Sequence, residues 1–169
     1  MPLVNEYYEK GSFPVDLIPK MGELGFFGAT LPKKYGGSEI SNTAYGLIMQ
    51  ELEKGDSGLR SVCSVQGGLV MYPIFQYGTE EQKDKWLPKL ASGEAVGCFG
   101  LTESNHGSDP GGMTTKAVKD GDDWIINGSK MWITNGTVAD VAVVWAKDEE
   151  GLVRGFLLEK GMDGFTASD

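Results

Sequence analysis

GCFGLTESNHGSD at residues 97–109 and MWIT at residues 131–134 carry the strongest structural signals in this chain. The apolar start of the first predicts a strand, and its polar, glycine-containing end predicts a loop. The second carries one large aromatic residue and one hydroxyl and is also predicted to be a strand. Because turn-forming sequences lie between them, we expect the two to be neighbours in one antiparallel sheet.

Residues 1–92, which precede this stretch, show the periodicity of helices. One helix is expected to begin after Ser41 or Asn42, both of which are good N-cap residues. Another is expected after Thr79, because Gln82 lies three residues later and completes a capping box. The apolar positions of the first of these helices are expected to form one buried stripe: Ala44, Leu47, Ile48 and Leu52.

From residue 93 onward the period changes and turn signals recur every eight to twelve residues. After the first strand, further strands are predicted over residues 114–118, 124–126, 130–134, 141–146 and 153–159. Helices followed by strands predict the α+β class. We therefore expect an N-terminal helical domain at 1–92 and, at 93–169, a middle β domain that holds the first part of an antiparallel sheet.

The composition is that of an ordinary globular chain, with 40% apolar and 23% charged residues among 169. A net charge of −9 argues against nucleic acid or a membrane surface as partner, since both usually need a basic face. Neither a membrane-spanning run nor a signal sequence is visible, so a soluble intracellular protein is expected. His106 is the only histidine, which leaves no histidine-built metal site, and the two cysteines are expected to be reduced core residues.

Six residues in these two stretches suit a flat heteroaromatic cofactor. Each of them alone has an ordinary structural explanation, such as a strand, a core position or a turn. Together they supply an aromatic wall, hydroxyl donors and a closely approachable backbone, which such a cofactor requires. These residues are Thr102, Glu103, Gly107, Ser108, Trp132 and Thr134.

The run FGLTESNHGSD followed by NGSKMWITNG resembles the flavin-binding signature of the acyl-CoA dehydrogenase family. In that family an aromatic residue precedes x-x-T-E-P-x-x-G-S-D, and N-G-x-K-x-W-I-T-N follows later. The resemblance extends over essentially all 169 residues, and DSGLRSVCSVQ at 56–66 is most similar to the branch that oxidises glutaryl-CoA. It implies FAD as cofactor, an acyl-CoA substrate, electron-transferring flavoprotein as the electron acceptor and a homotetramer.

The resemblance also implies roles for individual residues. The Thr102 hydroxyl would contact the edge of the isoalloxazine, Trp132 would pack against the ring and Thr134 would bond near its N5 atom. Ser108 would also touch the pantetheine arm, and Arg60 with Ser61 would bind the acyl terminus. The full set implied to contact the flavin is Phe99, Gly100, Leu101, Thr102, Glu103, Gly107, Ser108, Trp132, Ile133 and Thr134.

Arg60 has two interpretations. A glutaryl group ends in a second carboxylate, which arginine can hold through two charge-assisted hydrogen bonds. Alternatively, Arg60 forms a structural ion pair with Glu53 or Asp56. The local sequence does not separate these possibilities, and the resemblance favours the substrate.

Two positions depart from the family pattern. Ser104 replaces a proline, and His106 stands where a small residue is usual and is expected to point to solvent. The family places its catalytic glutamate in a C-terminal helical domain, so we expect that base beyond Asp169 and the chain to be a fragment.

The expected function is part of a flavin-dependent dehydrogenase that converts glutaryl-CoA to crotonyl-CoA, in the bacterial cytoplasm or the mitochondrial matrix. The alternatives are a short-chain monocarboxylic acyl-CoA dehydrogenase and a non-catalytic fragment that binds flavin or a CoA thioester.

Overall fold

A computed structural model describes residues 2–168, and the chain divides into two compact units, Met1–Val96 and Gly97–Asp169. The first unit is helical and the second contains a sheet. This arrangement confirms the predicted α+β class.

The first unit contains six α-helices and one π-helical segment among the described residues. These are α1 (Pro2–Glu9), α2 (Leu17–Glu23), α3 (Asn42–Gly55), α4 (Ser57–Ser64), the π-helical Val65–Met71, α5 (Tyr72–Tyr77) and α6 (Glu80–Ser92). No helix within residues 2–168 has both the length and the apolar character needed to cross a membrane.

The predicted helix starts are confirmed by their caps. Ser41 Oγ accepts a hydrogen bond from the Ala44 N–H at 3.2 Å, and Thr79 forms the expected capping box with Gln82 at the start of α6. The predicted buried stripe on α3 is wrong, because none of the described residues of that helix is buried and Leu47 is 58% exposed. α3 lies against α4, and its described side chains remain half-buried or exposed.

The apolar segment that follows α4 contains one amide side chain, that of Gln66. Its side chain is completely buried, and Nε2 donates to the carbonyls of Leu90 at 3.0 Å and Ala95 at 2.8 Å. Leu90 lies in the last turn of α6, where carbonyls lack the N–H donor four residues later that the helix would supply, and Ala95 follows the helix. Gln66 therefore fastens the π-helical segment to the end of α6.

The second unit is a five-stranded mixed sheet. Its strands are β1 (Gly97–Gly100), β2 (Lys116–Asp120), β3 (Asp123–Asn127), β4 (Val141–Lys147) and β5 (Val153–Glu159). β5 pairs with β4 in antiparallel register, and β2 and β3 form an antiparallel hairpin. The expectation of a purely antiparallel sheet is wrong, because β1 and β2 pair with β4 in parallel.

One side of the sheet is closed by a small apolar cluster. Cys98, Ala142 and Val144 are buried there, and Ile133 and Leu158 pack against them. Both cysteines are free and buried, as expected, and burial raises the pKa of the Cys63 thiol to about 12 and that of Cys98 to about 11. These thiols are packing groups.

The close approach of α2 to the end of α6 depends on a glycine. A Cβ at Gly22 would lie 2.0 Å from the Ser92 carbonyl oxygen, so Gly22→Ala forces the two helices apart. We expect a loss of about 2 kcal/mol in the free energy of unfolding, as for other overpacked sites. Urea denaturation checks this.

Gly46→Ala is the matched control, because a Cβ at Gly46 in α3 would meet nothing within 4 Å. It should stabilise the protein by about 0.5–1 kcal/mol through helix propensity. Equal losses in the two variants would contradict the proposed contact.

Candidate functional site

The chain turns tightly as it leaves β1. Glu103 and His106 exchange two backbone hydrogen bonds of 3.1 Å, so Ser104 and Asn105 form an exposed two-residue turn. We call residues 101–106 the Glu103 loop. The backbone of this loop is thus held by its own hydrogen bonds.

The carboxylate of Glu103 is buried, with the residue only 5% exposed. Oε2 accepts from the N–H of Thr114 at 2.6 Å and from its hydroxyl at 2.8 Å. Oε1 accepts from the N–H and the hydroxyl of Thr115 and from Lys130 Nζ at 2.9 Å. Burial raises the pKa of this carboxyl, but the hydrogen bonds from Thr115, Thr114 and Lys130 outweigh burial and hold it well below its ordinary value.

The Glu103 side chain is therefore held by groups of its own chain, and the flavin contact implied for residue 103 stays a prediction. Five donors from its own chain already surround the carboxylate. Sequence reasoning missed Thr114, Thr115 and Lys130 altogether. The only signal was a charged residue directly after an apolar strand, which needs a partner if it is buried.

Residues 131–135, the Trp132 segment, lie beside the Glu103 loop but do not form the predicted strand. Trp132 has φ +58° and Asn135 has φ +67°, in the left-handed region that strands do not use. Hydrogen bonds hold both ends of the segment: the Met131 N–H donates to the Thr102 carbonyl at 2.9 Å, and Asn135 Nδ2 donates to the Gly97 carbonyl at 3.1 Å. The segment is a clamped turn.

The Trp132 ring stands out from this turn and is 86% exposed. A large aromatic side chain in left-handed backbone costs about 1–3 kcal/mol and persists only where the surrounding structure imposes it. Such strain clusters at ligand-binding sites. Thr134, two residues later, is also exposed.

Four of the other residues implied to contact the flavin divide into two groups. Phe99 packs edge-to-face on Trp145 with ring centroids 5.9 Å apart, and Ile133 packs on the apolar cluster, so both rest against the protein. Gly107 and Ser108 are exposed, and a Cβ at Gly107 would meet nothing within 4 Å. The backbone at Gly107 is therefore open to close approach.

His106 does not point freely to solvent, contrary to expectation. It is half-buried, and its ring lies over Gly112, where an added Cβ would come within 2.4 Å of Nδ1. Glycine at position 112 is what lets the imidazole pack there.

Arg60 lies on α4 in the helical unit, and the structure shows the ion-pair alternative. Its Nε donates to Glu53 Oε2 at 2.5 Å, and Nη1 donates to Ser64 Oγ at 3.2 Å. Asp56, the other candidate partner, instead caps α4 by accepting from the Leu59 N–H. Hydrogen bonds from Arg60 and Ser57 lower the pKa of the Glu53 carboxyl.

Comparison with known proteins bears on the whole chain. Residues 1–94 match the model for the N-terminal domain of acyl-CoA dehydrogenases, and residues 98–169 match the model for the middle domain. The chain belongs to the acyl-CoA dehydrogenase family. The resemblance found in the sequence is thereby confirmed, and FAD is the cofactor of this family.

Individual acyl-CoA dehydrogenases are similar over nearly the entire chain. A probable acyl-CoA dehydrogenase, YngJ of Bacillus subtilis (strain 168), is 42% identical over 165 residues, which cover 94% of this chain and 43% of that protein. A crystal structure of glutaryl-CoA dehydrogenase from Mycobacterium smegmatis is 55% identical with a TM-score of 0.94, covering 98% of this chain and 42% of that one. A second such structure from that organism, in complex with FADH2, is 52% identical with a TM-score of 0.96, covering 99% and 43%. The chain thus spans less than half the length of these relatives.

The buried Glu103 predicts a specific pH dependence of stability. Because its folded pKa lies below the unfolded value of about 4.3, its contribution is fully present above that pH and is lost as the pH falls further. We expect Glu103→Gln to cost about 3 kcal/mol at neutral pH, since it leaves Lys130 buried without a counter-ion. The difference from wild type should shrink below about pH 4.

Urea denaturation at a series of pH values measures this difference. Glu149→Gln, at an exposed position of the same unit, should match wild type throughout. A Glu103→Gln deficit that persists unchanged into acid would contradict the assignment.

Proposed function

We propose that the protein is an FAD-dependent acyl-CoA dehydrogenase that oxidises glutaryl-CoA and releases carbon dioxide to give crotonyl-CoA. The observation that carries the proposal is the Trp132 segment, in which an exposed aromatic ring is held in strained backbone beside the Glu103 loop. The similarity to glutaryl-CoA dehydrogenases supports the choice of substrate.

The residues present fit a flavin. Trp132 offers an uncovered aromatic face, and Gly107 offers an open backbone. Thr102 on the Glu103 loop and Thr134 on the Trp132 segment offer hydroxyls. When bound, FAD supplies the acceptor for the hydride that leaves the substrate. The donors of this chain would hold the isoalloxazine edge, where preorganised hydrogen bonds favour the negative charge that reduction creates.

We assign Arg60 and Ser61 to the distal carboxylate of the glutaryl group, and Ser108 to the pantetheine arm. The ion pair with Glu53 uses Nε of Arg60 and thereby orients the guanidinium. The two Nη atoms of the guanidinium carry further N–H donors. The removal of the α-proton requires a carboxylate base, and no residue of the present sequence is assigned to it. Electron-transferring flavoprotein as acceptor and a homotetrameric assembly belong to the same proposal.

The ion pair itself favours a second candidate, a dehydrogenase for short monocarboxylic acyl chains. If Glu53 and Ser64 occupy Arg60 fully, the acyl pocket has no free cation from this residue. A plain acyl chain needs none. The two candidates share the flavin site and differ in the role of Arg60 and in the loss of carbon dioxide.

Replacing Trp132 separates backbone strain from flavin binding. Trp132→Gly should stabilise the flavin-free protein by about 1 kcal/mol, because glycine adopts φ +58° without strain. It should also weaken FAD binding about tenfold by removing the aromatic wall. Thermal melting without FAD and equilibrium dialysis with FAD measure the two effects.

Glu39→Gly is the matched control, since Glu39 also has a left-handed φ of +54° and is exposed in the helical unit. It should stabilise without altering FAD affinity. Unchanged affinity in Trp132→Gly would remove Trp132 from the cofactor site.

Arg60→Met tests the substrate in the full-length gene product. We expect kcat/KM on glutaryl-CoA to fall about ten- to a hundredfold, as for the loss of a charge-assisted hydrogen bond, with a much smaller effect on butyryl-CoA. Steady-state rates of dye reduction with each thioester measure this.

Arg154→Met provides the control, because Arg154 is an exposed arginine that pairs with Asp148 in the sheet unit. Equal losses on both substrates in Arg60→Met would favour the monocarboxylic enzyme. The absence of flavin reduction by any acyl-CoA in the wild-type protein would overturn the proposal.

A further inference from the structure

The two segments that carry Thr102 and Thr134 are joined by only a few hydrogen bonds. Main-chain pairing contributes one near Thr102, from the Met131 N–H to the Thr102 carbonyl. The side chain of Lys130 contributes two more, to the Leu101 carbonyl at 3.1 Å and to Glu103 at 2.9 Å. A single cation therefore replaces part of the ladder that a strand pair would supply.

The charges in this link are both buried, with side-chain exposures of 9% for Lys130 and 5% for Glu103. Burying an ion pair is not an efficient source of stability, since well-packed apolar residues often serve as well. An apolar side chain at position 130 could not, however, donate to a carbonyl and a carboxylate at the same time. What the pair contributes is a fixed distance between the two segments.

Glu103 in turn holds the position of Lys130. Its carboxylate is immobilised by Thr114 and Thr115 at the start of the β2–β3 hairpin, so the cation has one defined location. The order of dependence runs from the hairpin through Glu103 to Lys130, and from Lys130 to the Leu101 carbonyl next to Thr102.

We propose that Lys130 and Glu103 are positioning residues of the flavin site, which set the spacing between the Glu103 loop and the Trp132 segment and thereby align the hydroxyls offered to FAD. The inference rests on the proposed function. Neither side chain needs to touch the cofactor, because both act through the backbone they hold.

Lys130→Met tests this in the full-length gene product, in which both the dissociation constant for FAD and the reduction potential of the bound flavin are measured. The dissociation constant should rise about tenfold, since donors that are poorly aligned bind less well. The potential should become more negative, because misaligned donors stabilise the reduced flavin less. Lys130→Arg, which keeps the cation and its donors, should restore most of the potential.

Lys116→Met is the control, since Lys116 is exposed on β2 in the same unit and should change neither quantity. A Lys130→Met protein that melts at lower temperature but keeps the wild-type potential and FAD affinity would overturn the inference, because the pair would then serve only the fold. If Lys130→Met does not fold, Lys130→Gln retains a donor without the charge and should shift the potential less, in the same direction. No shift would again overturn the inference.

A wild-type protein that binds no FAD would overturn the proposed function, and this inference with it. Wild-type binding combined with unaltered variants would overturn the positioning role alone.

Discussion

The carboxylate of Glu103 is the constraint on which the sheet unit depends. A buried, ionised carboxylate costs several kcal/mol unless its oxygens are fully hydrogen-bonded. Here Thr114, Thr115 and Lys130 satisfy it, and each of them lies on a different part of the chain from the loop that carries Glu103. Misplacing any one of them leaves the buried charge with fewer donors, so the loop, the hairpin and the Trp132 segment take their positions together.

Local patterns predicted the elements whose causes are local. Ser41 and Thr79 cap their helices because a hydroxyl three residues before a backbone N–H needs nothing distant. The strand Val153–Glu159 was predicted with its observed bounds, because turn residues precede it. The partner of β1 was not predictable in this way, since parallel pairing with Val141–Lys147 joins residues more than forty positions apart in sequence.

The residues of the candidate site could be proposed from the sequence, whereas their geometry could not. Trp132 was identified as an important aromatic, but its left-handed backbone is imposed by hydrogen bonds at both ends of the segment, which no periodicity reveals. The inward direction of Glu103 depends on Lys130, twenty-seven residues away. For Arg60 the sequence offers two carboxylate partners, and Glu53 takes this role because Asp56 caps α4.

Because β1 and β4 pair in parallel, residues 101–140 form one long crossover connection between them. The hairpin tip at Gly121 lies in that crossover, and a Cβ added there would meet nothing within 4 Å. The turn at Ser104 and Asn105 is instead closed by two backbone bonds and precedes the anchored threonines. Insertions and deletions are therefore expected to have different effects at these two turns. Extra residues at the tip would add only a modest loop entropy, whereas one residue added or lost in the tight turn would disturb the two backbone bonds that close it and the contacts of Glu103 with Thr114 and Thr115.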